Sequence, residues 1–387
     1  MNKRALLIVF LTVFIDMLGF GIVVPLLPLY VRRFGASAAV CTAVLASYLI
    51  AQMLSAPLLG RLSDRVGRKP VLLASLAGSA ASFFLLALAP SLAWLFIARI
   101  VSGATGGAIS AAKSYIADVT TKENRAHGMG MLGAGIALGY VFGPPLGGLL
   151  GHHHLALPYL VAGGIALLNC AAAVFFLPAP TASATHEHSD ELSSFAYARR
   201  AFSQPRLGAY LAIIFCVTLT FSLFTGTYAL FCKQALGFEQ DRIGLLLGFA
   251  GVIAAVVQGG LIRPLVKRAG ELPLILAGAA IYAASMALLP AATSLSAILA
   301  VLLSLACGNS LNGPTMLALV SQEAPPEEQG RALGFEQSVE SLARIVGLLL
   351  GGALFDLRLW APYAFGATLM AFAFALALLQ VARQKAG

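Results

Sequence analysis

Long apolar stretches separated by short polar segments make up most of the chain. Twelve of them have roughly the 20 residues that a helix needs to cross a bilayer. Since lipid offers backbone groups no water, helices rather than open strands are expected. The pattern therefore predicts an all-α membrane protein with twelve transmembrane helices. These stretches, numbered spans 1 to 12, are 5–31, 38–60, 70–90, 92–117, 126–150, 158–177, 206–231, 239–266, 272–291, 295–321, 330–354 and 361–382.

Charge is scarce and unevenly placed. Charged residues make up 11% of the chain and hydrophobic residues 59%, whereas a soluble domain is about 25% charged. If the N-terminus lies inside, 17 of the 25 lysines and arginines fall on the cytoplasmic side, which is the positive-inside pattern. The sequence thus predicts a multi-pass protein of the bacterial inner (cell) membrane with both termini in the cytoplasm. Anionic lipid facing the inner loops accounts for the net charge of +9, so no nucleic-acid partner is expected.

The chain repeats itself. Segment 143–148 (GPPLGG) recurs as 347–352 (GLLLGG), an offset of 204 residues, and Gly67 and Pro70 recur as Gly270 and Pro273, an offset of 203. A polar segment separates the copies. We expect two pseudo-symmetric six-helix halves, residues 1–177 and 206–387, joined by a cytoplasmic linker at 178–205. A binding cavity is expected at the interface of such repeats.

The segment Gly60–Pro70 is the densest charge cluster of the chain, with five of its 41 charged residues in eleven positions. Its pattern G-x-x-x-D-R-x-G-R-K resembles the loop signature of the major facilitator superfamily. Three further segments strengthen the resemblance: Phe14–Gly21, Arg99–Gly103, and Gly139-x-x-x-Gly143-Pro144-x-x-Gly147. With all four in order, the chain is similar to the drug:proton antiporter branch of that family, and to tetracycline efflux pumps in particular.

Two departures from the tetracycline pumps concern the substrate. Those pumps usually place an acid in span 3, but this chain has no ionisable residue between Lys69 and Arg99, and its span 8 has no histidine. The departures weigh against a tetracycline–metal chelate as the substrate. They affect the antiporter interpretation less.

Asp16 and Arg99 are the candidate proton-coupling residues. Asp16 lies about 16 Å into span 1 at 1.5 Å per residue, and Arg99 lies within a turn of that depth in span 4. An acid inside the membrane is costly and should face water, while low-dielectric surroundings oppose its ionisation. We expect Arg99 to hold the ionised carboxylate and release it on protonation. The alternatives are a structural carboxyl and a fixed polar pin between helices.

The loop Gly60–Pro70 is expected to form part of a gate on the inner side. Asp64 should approach the N-terminus of a helix in the second half near Gly334, where an anion is favoured. Arg68 should pair with Asp118. The alternative is charge that serves only to orient the chain. The gating residues predicted in this way are Gly60, Asp64, Arg65, Gly67, Arg68 and Asp118.

The antiporter motif comprises Gly139, Gly143, Pro144 and Gly147. Glycines at this spacing permit close helix contact. In span 11, Glu336, Glu340 and Arg344 are spaced by four residues and share one helix face. They are candidates for a second proton site or a substrate anchor, against a silent ion pair. The remaining substrate candidates are polar or aromatic residues inside spans: Asn309, Asn312, Gln258 and Phe224.

The function predicted from these features is proton-coupled antiport that exports a lipophilic or amphipathic small molecule by alternating access. The alternatives are a lipid or glycolipid flippase of the same fold, and a non-transporting receptor or scaffold. No nucleophile–base pair or metal cluster stands at a catalytic spacing, so no enzymatic activity, metal or cofactor is expected. The expected partners are protons, a small-molecule substrate and the lipid bilayer, and the expected state is a monomer.

Overall fold

The structure is a computed structural model that describes residues 3–119, 125–177, 204–325 and 328–386. Across these residues, twelve helical spans are long and apolar enough to cross a membrane, which confirms the predicted number. Their bounds are Leu6–Arg32, Ala38–Val66, Arg68–Ala87, Leu92–Ile116, His127–His153, Leu157–Phe176, Pro205–Leu236, Gln240–Ala269, Glu271–Ala291, Leu295–Glu323, Gln329–Leu357 and Ala361–Gln384.

Eight spans are single α-helices, and span 9 is a single α-helix that ends in a 3-10 turn. Three spans that the sequence predicts as unbroken are interrupted. Span 1 comprises Lys3–Val23, a 3-10 turn at Val24–Leu26 and Leu27–Arg32. Pro25 lies in that turn, where its missing N–H and fixed φ disrupt an α-helix. Span 4 comprises Leu92–Ala104 and Ala108–Val119. Its interruption contains Gly106 and Gly107, poor helix formers.

Span 8 is the third interrupted span, and span 9 changes its helix type only at its end. Span 8 comprises Gln240–Val256, a π-helical turn at Val257–Leu261 and Ile262–Ala269. Span 9 is the helix Glu271–Leu288 followed by a 3-10 turn at Leu289–Ala291. The helices of spans 5 and 12 extend slightly beyond the apolar stretch, to Arg125–His153 and Ala361–Ala386.

Contacts divide the chain into two compact units. The first unit contains Met1–His186 and Gly237–Phe249, and the second contains Glu187–Leu236 and Ala250–Gly387. The start of span 8 therefore belongs to the first unit. The predicted linker lies almost wholly outside the described residues, so the predicted domain boundaries stay a prediction.

The segment Gly60–Pro70 is more helical than expected. The helix of span 2 continues to Val66 and the helix of span 3 begins at Arg68, so only Gly67 separates them. Gly67 has φ 95° and ψ 162°, a conformation essentially restricted to glycine. Gly270 separates spans 8 and 9 in the same way, with φ 80° and ψ 171°. The sharp turn is thus made by one glycine rather than by a polar loop.

Candidate functional site

Asp16 lies inside the helix of span 1 and is buried, with 9% of its surface exposed. The side chain of Ser79 in span 3 lies beside its carboxyl group. Asp16 also interacts electrostatically with Tyr48 in span 2. The carboxyl group therefore sits among three helices of the first unit, with polar groups beside it on two of them.

Arg99 is almost completely buried, with 1% of its surface exposed. Its guanidinium carbon lies 4.5 Å from the ring centroid of Tyr48, a cation–π contact worth about 2 kcal/mol when water is excluded. Among the described residues, no carboxylate oxygen lies within 4.0 Å of an Arg99 nitrogen. The direct Asp16–Arg99 pair that the sequence predicts is therefore not formed in this structure.

Tyr48 is the side chain that the two charged groups share, and the sequence reasoning missed it. Its hydroxyl accepts a hydrogen bond of 3.1 Å from Nε2 of Gln52. The same nitrogen donates to the carbonyl oxygen of Gly106 at 2.9 Å. The signal was present in the sequence, since Tyr48 and Gln52 are polar side chains four residues apart on one face of an apolar span.

Aromatic rings form one wall of this site. The ring of Phe20, one turn after Asp16, lies 5.9 Å from that of Tyr48 and 6.0 Å from that of Tyr140 in span 5. Tyr159 in span 6 also interacts electrostatically with Arg99. Side chains from spans 1 to 6 thus surround one acid and one base. We call Asp16, Tyr48, Ser79 and Arg99 the polar cluster.

The predicted antiporter motif lies directly against the backbone that carries Asp16. A Cβ atom added at Gly139 would lie 2.5 Å from the Cβ of Met17, and one added at Gly143 would lie 2.6 Å from the Cα of Gly21. At Gly147 it would overlap with the carbonyl oxygen of Ile22. Only glycine permits this approach of span 5 to span 1. Pro144 lies in the same uninterrupted helix.

The other face of span 5 packs against span 8 within the first unit. A Cβ atom at Gly148 would lie 3.0 Å from the Cα of Gly244, and one at Gly244 would overlap with the carbonyl oxygen of Pro144. Span 5 is therefore held between two helices without intervening side chains. Motion of span 5 is consequently tied to the helix that carries Asp16.

The charged segment at the end of span 2 forms an internal ion pair. Nη1 of Arg68 lies 2.6 Å from Oδ1 of Asp64 and donates to the hydroxyl of Ser63 at 3.1 Å. Arg65 and Gly60 are exposed. The side chain of Asp118 lies outside the described residues, so the Arg68–Asp118 pair stays a prediction. The approach of Asp64 to the helix near Gly334 stays one too.

The three charged residues of span 11 separate into two environments. Glu336 is buried, with 7% of its surface exposed. Nη2 of Arg344 lies 3.1 Å from Oε2 of Glu340, and these side chains are 45% and 26% exposed. Glu340 and Arg344 therefore form an ion pair on one helix, which fits the alternative of a silent pair.

The predicted substrate residues also divide into two groups. Phe224 is buried beside Tyr228, with tilted rings whose centroids are 4.7 Å apart, while Asn312 is fully buried against Gly278 of span 9. Both serve packing within the second unit in this structure. Gln258, by contrast, is exposed on the π-helical turn of span 8. Its Nε2 lies 3.4 Å from the hydroxyl of Ser310, the residue after the half-buried Asn309.

Comparison with known proteins identifies the family of the chain. The family model described as Major Facilitator Superfamily matches residues 9–348 and 264–386. The class C tetracycline resistance protein of Escherichia coli is 33% identical over 366 residues, covering 92% of this chain and 90% of that protein. Multidrug resistance protein 1 of Bacillus subtilis (strain 168) is 28% identical over 380 residues, covering 97% and 96%.

Solved structures match over nearly the whole chain. The human organic anion transporter MFSD10 (TETRAN) has a TM-score of 0.70 at 24% identity, covering 97% of this chain and 99% of that one. A single-site mutant of the nucleoside transporter NupG has a TM-score of 0.78 at 12% identity, covering 97% of both chains. At these identities the likeness shows the fold alone.

Proposed function

The chain belongs to the Major Facilitator Superfamily and is a multi-pass membrane transporter, and on that premise we propose that it is a proton-coupled antiporter that exports a lipophilic or amphipathic small molecule. The polar cluster is the observation that carries the proposal. An acid and a guanidinium are both buried within spans of the first unit, at a cost that packing alone does not require.

Asp16 is proposed as the proton-binding group. Its carboxyl group and the guanidinium of Arg99 both lie beside Tyr48 and are not in direct contact with each other. Protonation of Asp16 leaves a net positive charge in buried surroundings, which is unfavourable unless the site rearranges. This difference in free energy between the two protonation states is what favours one conformation of the transporter over the other.

The cargo class is proposed from the relatives and from the second unit. The relatives are named for resistance to tetracycline and to multiple drugs. In the second unit, the exposed amide of Gln258 and the neighbouring Ser310 offer hydrogen bonds inside an apolar span. A mostly apolar surface with few polar groups suits an amphipathic compound. Ser79, not an acid, stands beside Asp16, so no metal chelate is proposed.

The proposed setting is the cell membrane of a bacterium, with the protein as a monomer and both termini in the cytoplasm. The clustering of basic residues supports this orientation. It places the Asp64–Arg68 pair at the cytoplasmic ends of spans 2 and 3, where the proposed inner gate lies. Alternating access then opens each side in turn around the cargo.

Everted membrane vesicles containing the protein test this function directly. Respiration acidifies the vesicle interior, so an exporter driven by protons should accumulate ethidium or radiolabelled tetracycline inside. We expect accumulation of at least one of them, and its loss when nigericin collapses the pH gradient or when Asp16 is replaced (Asp16→Asn). Accumulation that persists without the pH gradient contradicts proton coupling. Vesicles that accumulate neither compound contradict the proposed cargo class.

A further inference from the structure

The interruption of span 4 is held by side chains from two neighbouring spans. It lies between the helices Leu92–Ala104 and Ala108–Val119, so its backbone groups lack part of the usual helical bonding. Side chains of spans 2 and 3 bind these groups instead. The bonds are Gln52 Nε2 to the Gly106 oxygen at 2.9 Å, Ser55 Oγ to the Gly103 oxygen at 3.2 Å, and the Gly107 N–H to Ser75 Oγ at 3.2 Å.

One of these three bonds is connected to the polar cluster. Nε2 of Gln52 donates both to Gly106 and to the hydroxyl of Tyr48. The ring of that tyrosine lies over Arg99, which belongs to the helix just before the interruption. An uninterrupted series of contacts therefore runs from Arg99 through Tyr48 and Gln52 to the interrupted backbone of the same span. The bonds of Ser55 and Ser75 do not involve the side chain of Tyr48 or of Gln52, although Ser55 Oγ also lies 3.3 Å from the carbonyl oxygen of Gln52.

The contact between spans 2 and 4 leaves little room for independent movement at this level. A Cβ atom at Gly103 would overlap with the carbonyl oxygen of Tyr48 and would lie 2.9 Å from the Cβ of Ala51. The backbone of Tyr48 is thus fixed against span 4, and only its side chain is able to change position. A change in the position of the Tyr48 side chain therefore alters its hydrogen bond with Gln52, one helical turn away.

We propose that Tyr48 and Gln52 are positioning residues that transmit the charge of Asp16 to the interruption in span 4. The inference deepens the proposed function, since it assumes that Asp16 changes its protonation state during transport. With Asp16 ionised, Gln52 keeps its hydrogen bonds to Tyr48 and Gly106, and the interruption keeps the backbone conformation described above. With Asp16 protonated, Arg99 and Tyr48 rearrange, the Gln52–Gly106 bond weakens and span 4 bends at its two glycines.

Charged and titratable side chains from several spans lie around Tyr48. They are Asp16 from span 1, Arg99 from span 4 and Tyr140 from span 5, and the ring of Phe20, one turn after Asp16, lies 5.9 Å from the Tyr48 ring. Tyr159 from span 6 faces Arg99 from the other side. Among these groups, only Asp16 gains or loses a charge in the ordinary pH range. Its titration therefore changes the balance of charge across the Tyr48 ring.

Hydrogen–deuterium exchange of the purified protein tests the proposal without relying on transport. The measured quantity is the exchange rate of backbone amides in residues 103–108. We expect Asp16→Asn, Tyr48→Phe and Gln52→Leu each to raise it about threefold, the effect of losing one modest hydrogen bond. Because these residues act in series, Tyr48→Phe combined with Gln52→Leu should raise the rate no further than either change alone.

Ser55→Ala is the matched control. It removes a bond to the same interruption that does not pass through Tyr48. Its effect on exchange should therefore add to that of Tyr48→Phe, and Asp16→Asn should still act in its presence. In the Tyr48→Phe protein, by contrast, Asp16→Asn should have no further effect. Additive effects of Tyr48→Phe and Gln52→Leu, or no effect of Asp16→Asn on residues 103–108, would overturn the proposal.

Transport measurements separate this proposal from the function on which it rests. We expect Tyr48→Phe to keep the KM for ethidium, to lower the maximal proton-driven rate and to shift its pH profile. If the unaltered protein shows no proton-driven transport, the proposed function fails, whereas the exchange experiment still reports on the contacts. If the unaltered protein is proton-driven and Tyr48→Phe behaves identically in rate, pH profile and exchange, only the transmission through Tyr48 fails.

Discussion

Two helix crossings, one in each unit, use the same packing for different chemistry. In the first unit, Gly143 of span 5 presses against the backbone of span 1. In the second unit, Gly347 of span 11 presses against span 7, where an added Cβ would lie 2.6 Å from the carbonyl oxygen of Leu219. The two glycines are 204 residues apart. Glycine contacts between helices are thus a property of the repeat itself.

The residues beside these crossings differ. Thr220 of span 7 is the residue 204 positions after Asp16. Thr220 is fully buried, and its hydroxyl lies 3.5 Å from the carbonyl oxygen of Gly366 within the second unit. A threonine held by a backbone carbonyl does not bind and release a proton near neutral pH. The comparison teaches that both units share the glycine crossing, while only the first has an acid on the helix of that crossing that spans 1 and 7 represent.

Charge in the second unit lies on the other helix of the crossing. Span 11 has charged side chains where span 5, at the offset of 204, has apolar or aromatic ones. Glu336, Glu340 and Arg344 align in sequence with Leu132, Ile136 and Tyr140. Since Glu340 and Arg344 neutralise each other at 3.1 Å, they are not arranged as a lone titrating acid. Four changes test how far the difference between the units extends.

Replacing Asp16 should have the largest effect. Asp16→Asn removes the proposed titrating group with little change in shape, so ethidium accumulation in everted vesicles should fall to the level of vesicles without the protein. The control change Thr220→Asn alters a buried polar residue of span 7 and should leave the dependence on the pH gradient intact. Equal losses in the two variants would show that the units are not specialised as proposed.

Enlarging the crossing glycines should damage both units alike. Gly143→Leu and Gly347→Leu each force a side chain into the neighbouring backbone, at a cost of about 3 kcal/mol in the free energy of unfolding. Gly130→Leu and Gly334→Leu are the controls, because no atom lies within 4 Å of a Cβ at either position. Thermal unfolding in detergent compares the four proteins. If the controls lower the unfolding midpoint as much as Gly143→Leu and Gly347→Leu do, the glycine contacts do not hold these helices together.

The single-residue turns offer a smaller, symmetric test. Gly67→Ala and Gly270→Ala place a Cβ on a backbone conformation that only glycine adopts readily, which should cost about 2 kcal/mol each. Gly60→Ala, in open surroundings within a helix, should not destabilise the protein. Thermal unfolding midpoints provide the measurement. If Gly67→Ala lowers the unfolding midpoint and Gly270→Ala does not, the two turns are alike in sequence but not in backbone strain.

The smallest effect is expected from Glu340→Gln. The pair with Arg344 is partly exposed, and such pairs contribute about 0–1 kcal/mol to the free energy of unfolding. Proton-driven accumulation should therefore persist with the same dependence on the pH gradient. Loss of that dependence would place a coupling acid in the second unit as well, and would reduce the contrast with Asp16.

Much of the fold was predictable from the sequence because apolar runs report directly on membrane spans. The matching turns at Gly67 and Gly270 were also marked in the sequence. Both have a backbone conformation that few other residues adopt, so a glycine stands at each. The interruptions in spans 1, 4 and 8 were not predicted. Hydropathy averages over a whole span and does not register where a proline or two glycines break the hydrogen-bonding pattern.

The site was predictable in its ionisable residues but not in their contacts. Depth in the membrane placed Asp16 and Arg99 at a similar level. Depth does not fix the rotation of each helix about its axis, however, and that rotation decides which side chains meet. The structure places Tyr48 against Arg99 instead of Asp16. Such a contact depends on several helices at once, so no single span of sequence specifies it.

Proton release on ligand binding tests the central claim, that the protonation of Asp16 is linked to cargo. Ethidium is added to the purified protein in weakly buffered detergent solution, and a pH indicator reports the protons released. We predict release of protons from the unaltered protein that decreases as the starting pH rises and Asp16 is already ionised, and no release from Asp16→Asn. Equal release from Asp16→Asn, with ethidium still bound, would contradict the account.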